Sequence, residues 1–324
     1  MRKPWHLLAD IGGTNARFAL GDVVTGELQA YHTVHVADYP TFTAALETYL
    51  AKVTQTREWE SLPVDACLAV ACPADRQVVT FTNSDWVIDR KDLVYSLKIP
   101  SLKVINDFEA VGYAVTGFAE GDWEQLGDGS AQPERMIGVL GPGTGLGVCG
   151  TLPANRRVTV LAGEGGHVDF APVGDEEIEI LRILLTRYRR VSAERLLSGA
   201  GIQNIYWALT QMHGAERRQA TPADISAAAT TGKDPMATET LAVFFRILGG
   251  VAGNLALTFG ARGGIYVAGG IVPRVLEFAR KSDFRERFLA KGRFRDYLND
   301  IPTRVVTREN PGLFGALQFL KSRQ

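Results

Sequence analysis

Cysteine is scarce in this sequence: Cys67, Cys72 and Cys149 are the only three among 324 residues. An odd count without paired spacing argues against a disulfide framework and a cysteine-based zinc site, and points to reduced thiols in the cytoplasm. Cys67 and Cys72 lie five apart in an apparent strand, so alternation directs them to opposite faces. Excess charge of one sign is missing too. A formal net charge of −1 gives no long-range field to recruit nucleic acid or an anionic membrane surface. The longest apolar segment, Leu241 to Ala261, is interrupted by Arg246 and Asn254 and reads as a buried helix, not a membrane span. The opening MRKPWHLLADIGG carries two basic residues but no apolar stretch long enough for a signal peptide. No linker or low-complexity tract divides the chain.

What is present is the composition of a globular protein, 46% apolar and 22% charged, which argues against disorder and membrane residence. The length suits one large or two modest domains, and 34 glycines imply several tight turns or close backbone approaches. Residues 7–20 read as two strands around a glycine turn, followed by a strand over 28–36, a helix over 42–53 and a strand over 64–71. A short strand over 78–81, a helix over 92–97, a strand over 102–105 and a helix from about Phe108 complete the first third. Near residue 137 the pattern restarts, and Gly141-Pro142-Gly143-Thr144-Gly145 falls at the same structural step as Asp10-Ile11-Gly12-Gly13-Thr14. Two related halves, each with a glycine hairpin, could clamp one ligand. The remainder is mainly helical, with helices expected over 193–212, 222–230, 236–260 and 312–320. Strands are expected over 264–268 and 302–307, and a helix from Pro273. Asp175, Glu176 and Glu177 open another helix, and Arg187, Arg189 and Arg190 read as its solvated end. A hinge near 110–117, with the last helix packed back on the first half, gives a small α/β domain (1–110 plus about 308–324) and a large one (111–307).

The stretch LLADIGGTNARFAL fits neither G-x-x-x-x-G-K-[ST] nor G-x-G-x-x-G, and a strand follows its turn where those motifs need a helix. Consecutive N–H groups in a glycine turn nonetheless form a concave nest for phosphate oxygens, and Thr14 and Thr144 add hydroxyl donors. Asp10, at the entrance, would repel a bare polyphosphate unless a cation lay between, and Mg²⁺ is commonly held by a carboxylate plus phosphates. An ordinary hairpin is the alternative. Gly269-Gly270 is a third glycine turn, able to meet a flat ring or simply to join strand to helix. Asn106-Asp107 follows the strand LKVI. Asp107 could serve as a base, Asn106-x-x-Glu109 also reads as a helix cap with its reciprocal carboxylate, and Glu109 is a rival base on spacing. Glu164 and His167 flank two glycines that disfavour the helix an E-x-x-H metal site needs. Glu194 would ordinarily be a first-turn glutamate behind the cap Ser192.

The segments LADIGGTNARFAL, VINDFEAVGYA, GPGTGLGV, AGEGGHVDFAP, VSAERLLSGAGI, AGGIVP and PGLFGALQFL together resemble the bacterial glucokinase family, in order from about residue 8 to 318. The resemblance is to the branch without a cysteine cluster, so no structural metal is expected. It implies an α/β fold of two ribonuclease-H-like (actin-like ATPase) domains closing around a cleft, and a homodimer; the cysteine usage and near-neutral charge add a cytoplasmic location without nucleic-acid or membrane partners. It implies ATP-dependent phosphorylation of glucose at the 6-hydroxyl. Asp107 is then the base, with Asn106, Glu164, His167 and Glu194 joining it as sugar ligands. Ala9, Asp10, Ile11, Gly12, Gly13, Thr14, Gly143, Thr144, Gly145, Gly269 and Gly270 would hold ATP, and Asp10 would hold Mg²⁺ directly or through water. Closure on the sugar would exclude water as acceptor. A kinase for fructose, mannose or an N-acetylated sugar is the alternative. A sugar-sensing regulator would need a helix-turn-helix ahead of Leu7, where six residues stand. A chaperone-like ATPase would not need the sugar ligands.

Overall fold

The computed structural model describes residues 4–55, 62–81, 84–154, 157–215 and 220–323. Its elements begin with β1 (Trp5–Ile11), β2 (Asn15–Asp22), β3 (Leu28–His35), α1 (Phe42–Val53), β4 (Asp65–Val70), β5 (Val78–Thr80) and β6 (Val87–Asp89). There follow α2 (Arg90–Leu97), β7 (Leu102–Asn106), α3 (Asp107–Ala114), β8 (Trp123–Leu126), β9 (Ile137–Pro142), β10 (Leu146–Ala154) and β11 (Arg157–Gly163). Then come α4 (Asp175–Leu184), α5 (Gly199–Met212), α6 (Pro222–Thr230), α7 (Pro235–Phe259), β12 (Gly264–Val267), α8 (Leu276–Lys281) and α9 (Phe284–Leu289). The last three are α10 (Arg295–Asn299), β13 (Thr303–Val306) and α11 (Pro311–Lys321). The chain divides into two compact units: Met1–Phe118, Arg156–Ala162 and Glu309–Gln324 in one, Ala119–Asn155 and Gly163–Arg308 in the other.

The first unit is built on a sheet of order β3-β2-β1-β4-β7. β1, β2 and β3 form an antiparallel meander, while β4 and β7 run parallel to β1. Alternation along β1 and β4 sorts side chains between two cores. Trp5, Leu7, Ala9, Ile11, Ala66, Leu68 and Val70 join the core under α1, where Phe18 lies against Phe42 and Tyr49. Leu8, Cys67 and Ala69 join the opposite core with α3 and α11. Cys67 and Cys72 are buried in these two different cores, on the two faces that alternation assigned them. With both faces covered, the central strands read as nearly continuous apolar runs. α11 meets α3 at Gly315, where a Cβ would collide with the Ala110 carbonyl. One turn further on, Phe319 packs edge-on to Tyr113 at 5.0 Å.

Within the second unit the strands follow the order β10-β9-β12-β13-β8. β9, β12 and β13 are parallel, and β10 returns antiparallel beside β9. The 25-residue α7 is the central helix. It is long and apolar enough to cross a membrane, yet two thirds of its apolar window is buried inside the protein. Gly249 and Gly253 let the Phe284 and Phe288 carbonyls of α9 approach its backbone. Glu177 of α4 is almost wholly buried and pairs with Arg287 of α9.

Three expectations need correction. α4 ends at Leu184, so Arg187, Arg189 and Arg190 are not its last turn. Arg187 instead stacks on Trp207, its guanidinium carbon 3.3 Å from the ring centre. The helix expected over 193–212 is divided: Ala193–Arg195 is a 3₁₀ turn without a side-chain cap at Ser192, and α5 begins at Gly199 behind Ser198, whose hydroxyl accepts from the Gly201 N–H. After Gly270 the chain makes a 3₁₀ turn over Val272–Val275 before α8.

Overpacking at a helix contact costs roughly 1–3 kcal/mol. Gly315→Ala is therefore expected to lower the urea midpoint of unfolding by that amount of stability with an unchanged m-value.

Candidate functional site

Register brings the first unit's candidates to one edge of its sheet. Ile11 lies beside Val70, and Val70 beside Asn106, so three parallel strands end together. Ligands to open α/β sheets bind beyond such carboxyl ends. The β1–β2 turn is closed by the Gly12 N–H donating to the Asn15 carbonyl at 2.9 Å, and the Thr14 carbonyl accepts from Val36 N–H at 2.9 Å. Gly12 and Gly13 are half-buried and Thr14 is exposed. Ala9 and Ile11 put their side chains wholly into the core, leaving only backbone for a ligand.

Asp10 has protein partners of its own. It faces Arg17 across the hairpin, and the guanidinium donates to its carboxylate at 3.4 Å. A Cβ at Gly312, in the first turn of α11, would lie 2.8 Å from its carboxyl carbon, so the helix start rests on the acid. Its side chain is 18% exposed. Burial raises its pKa above the ordinary 3.8, against the opposing pull of Arg17. Among the described residues no group of three or more His, Cys, Asp or Glu gathers as a metal cage. A single acid beside a turn of backbone N–H groups still fits Mg²⁺, which keeps waters and takes one or two carboxylates plus phosphates.

Asn106 and Asp107 stand where β7 becomes α3, with a complete capping box. The Asn106 side-chain oxygen accepts from Phe108 N–H at 2.9 Å and Glu109 N–H at 3.2 Å, and the Glu109 carboxylate accepts from Asn106 N–H at 3.4 Å. Asp107 accepts from Phe108 N–H at 2.8 Å. Burial raises the Glu109 pKa, opposed by that Asn106 bond and by Arg323. Cys72 lies close enough that burial first, and the Asp107 charge second, push its thiol up to about 11.

In the second unit, Leu140, Val267 and Val305 are aligned, so the turn after β9 and Gly269-Gly270 after β12 share one edge. Gly143 N–H donates to the Gly145 carbonyl at 2.8 Å, and Thr144 is exposed. Gly269 has φ +83° and no room for a Cβ against Pro142, so its close approach is to β9; Gly270 faces open space.

Glu164, His167 and Glu194 come together in this unit. His167 lies 3.9 Å from both carboxylates, through Nε2 to Glu164 and through Nδ1 to Glu194. Gly165–His167 form a single 3₁₀ turn, not an α-helix, and Gly166 has no room for a Cβ against the Leu146 carbonyl. Exposure grades the three: Glu164 84%, His167 55%, Glu194 30%. Glu194 is the anchored one, accepting from Leu146 N–H at 2.9 Å.

Several partners escaped the sequence reading. Arg190 donates to the His167 carbonyl at 2.7 Å and to Asp169 at 2.8 Å, so it fixes the histidine segment. Gly199 N–H donates to the Gly143 carbonyl at 2.9 Å, tying α5 to the glycine turn. Arg17 could have been found: once the turn is placed, positions 10 and 17 are cross-strand neighbours.

Comparison with known proteins agrees over nearly the whole chain. The family model described as Glucokinase matches residues 7–323. The glucokinase of Hahella chejuensis is 42% identical over 320 residues, covering 99% of this chain and 98% of the relative. A crystal structure of glucokinase from an Antarctic psychrotroph superposes with a TM-score of 0.87 at 36% identity, covering 98% of each chain. A ROK family glucokinase from Streptomyces griseus, solved with glucose and AMPPNP, shares the fold at a TM-score of 0.66 and 21% identity, covering 97% of this chain and 98% of that one.

The burial of Asp10 has a pH signature. Where a folded-state carboxyl pKa is raised, the folded state holds more protons than the unfolded one, so stability falls as pH rises through the window above the ordinary 3.8. Asp10→Asn should therefore gain stability relative to the parent as pH rises from about 4 to 7, measured by urea unfolding without nucleotide. A difference that stays flat with pH would contradict the assignment.

Proposed function

Because the chain belongs to the glucokinase family, we propose that it transfers the terminal phosphoryl group of ATP to the 6-hydroxyl of D-glucose. The observation that carries the reading is the Asn106–Asp107 pair at the β7–α3 junction. Capping consumes the Asn106 side-chain oxygen, which leaves its NH₂ to donate to a sugar hydroxyl. Asp107 is the first residue of α3, where the positive end of the helix stabilises its negative charge. It takes the 6-hydroxyl proton as that oxygen bonds to the γ-phosphorus and the bond to the ADP oxygen breaks. Glu109 is a poor rival, since its carboxylate is turned to its own helix start and half-buried.

Glu164, His167 and Glu194 orient the remaining hydroxyls. A site of such groups discriminates against a sugar lacking one of them, because its own polar atoms would go unpaired. Phosphoryl transfer asks for positioning and charge stabilisation more than covalent chemistry. The amides of Gly12, Gly13 and Thr14 and of Gly143, Thr144 and Gly145 are assigned to phosphate oxygens, with Ala9 and Ile11 contributing backbone only. Gly269 and Gly270 are assigned to the nucleotide, with Gly270 as the face open to it. Mg²⁺, when bound with ATP near Asp10, would neutralise developing phosphate charge. The reading brings with it a homodimer and a cytoplasmic location as proposals; the domains it implies, 1–110 plus 308–324 and 111–307, differ from the compact units in leaving the end of α3 and most of β11 to the larger domain. Another hexose is the alternative substrate.

A coupled assay of purified protein with ATP and a panel of hexoses should give its highest kcat/KM with glucose. Strong turnover of another sugar without glucose turnover would overturn the assignment. Asp107→Ala should lower kcat by about 10²–10⁴-fold while calorimetry still detects nucleotide binding. Near-normal turnover would eliminate Asp107 as the base.

A further inference from the structure

We propose that Gly145 is a positioning residue for the sugar side of the site: its missing side chain is the seat of the Glu194 carboxylate. The inference rests on the proposed glucose-binding role of Glu194 and extends it to the turn assigned to phosphate.

A Cβ at Gly145 would collide with Glu194 Oε2, the oxygen that accepts from Leu146 N–H at 2.9 Å. The other oxygen, Oε1, lies 3.9 Å from His167 Nδ1. One carboxylate thus serves two purposes: it closes the strand end just beyond the turn and presents its second oxygen beside the histidine. The backbone beneath it is fixed. Ser198 Oγ donates to the Glu194 carbonyl at 2.8 Å, and Asn204 donates to the Arg195 carbonyl at 2.8 Å. The same segment holds the other end of the turn through Gly199 N–H and the Gly143 carbonyl. Residues 194–199 therefore grip the hairpin at Gly143 and at Leu146. Conformational freedom does not explain the glycine, because Gly145 is not among the residues at positive φ. Nor does every glycine of the turn share its position, since a Cβ at Gly143 would meet nothing within 4 Å.

The consequence is that altering the turn at Gly145 acts on the sugar. In Gly145→Ala the colliding atom is the far end of a flexible side chain, so the fold adjusts cheaply, but the carboxylate must leave its seat and release Leu146 N–H. A carboxylate displaced from its seat no longer meets the sugar hydroxyl, and losing a charge-assisted bond of that kind corresponds to about a ten- to hundredfold effect.

The test uses the full chain, with Gly145→Ala, Glu194→Gln and the double variant, each checked for a single cooperative unfolding transition well above the assay temperature. Gly145→Ala is expected to raise the KM for glucose about tenfold or more with a smaller change in the KM for ATP. In the double variant Gly145→Ala should add little to Glu194→Gln, because both act through one carboxylate. Full multiplication of the two effects, or a rise confined to the KM for ATP, would overturn the proposal. In ¹⁵N-leucine-labelled protein, the Leu146 amide resonance should move in each single variant without any ligand. A Leu146 resonance unmoved by Gly145→Ala would overturn the seat itself. A parent chain that turns over no sugar while its Leu146 resonance responds would remove the proposed function but leave the seat standing.

Discussion

Each unit depends on one strand that belongs to two kinds of pairing at once. β1 is the antiparallel partner of β2 and the parallel partner of β4; β9 holds the same position between β10 and β12. The antiparallel partner forces a tight turn at the strand's carboxyl end. The parallel partner delivers further carboxyl ends to the same edge, because parallel neighbours connect only through crossovers that return the chain in the same direction. Glycine turns and the candidate residues that follow the parallel strands are therefore collected on one edge of each sheet by pairing geometry alone. A one-residue slip of β1 against β4 would turn Asp10 into the core and Ile11 out of it.

Asp10 and Asn106 show how stability and chemistry are balanced on that edge. Asp10 sits against α11 with its charge disfavoured by burial and only partly compensated by Arg17. A cation arriving with a ligand would offset that cost, as the proposed role of Asp10 beside nucleotide-bound Mg²⁺ supposes. Asn106 is the opposite case. Its capping bonds stabilise the start of α3, and the same bonds fix which end of its amide is turned outward. Capping occupies the amide oxygen alone, so it does not compete with the sugar-binding role proposed for the NH₂.

Much of the fold was legible because its signals are local. The 3.6-residue recurrence of Phe42, Ala45, Leu46, Tyr49 and Val53 marks α1, and those five side chains are buried. The capping box at Asn106 and Glu109 is readable three residues apart, and both glycine turns interrupt apolar strands. What failed was also local in kind. The arginines after α4 looked like a helix end because charge order suits a dipole. They lie outside the helix, where Arg187 finds Trp207 and Arg190 finds the His167 segment, contacts made across about twenty residues of sequence. Likewise the cap was expected at Ser192, whereas Ser198 caps α5, whose first N–H donates to the Gly143 carbonyl of the glycine turn.

The sequence by itself determined the elements, the turns that end them and the order of motifs that marks the family, since periodicity, capping and turn chemistry act over a few residues. The family resemblance carried by those motifs named Glu164, His167 and Glu194 as candidates. Only the tertiary structure decided that Glu194 is the anchored member of the three, and that the glycine at 145 makes room for it. Those facts depend on segments about fifty residues apart being brought within hydrogen-bond distance, and no local pattern encodes a contact whose partner lies on another element.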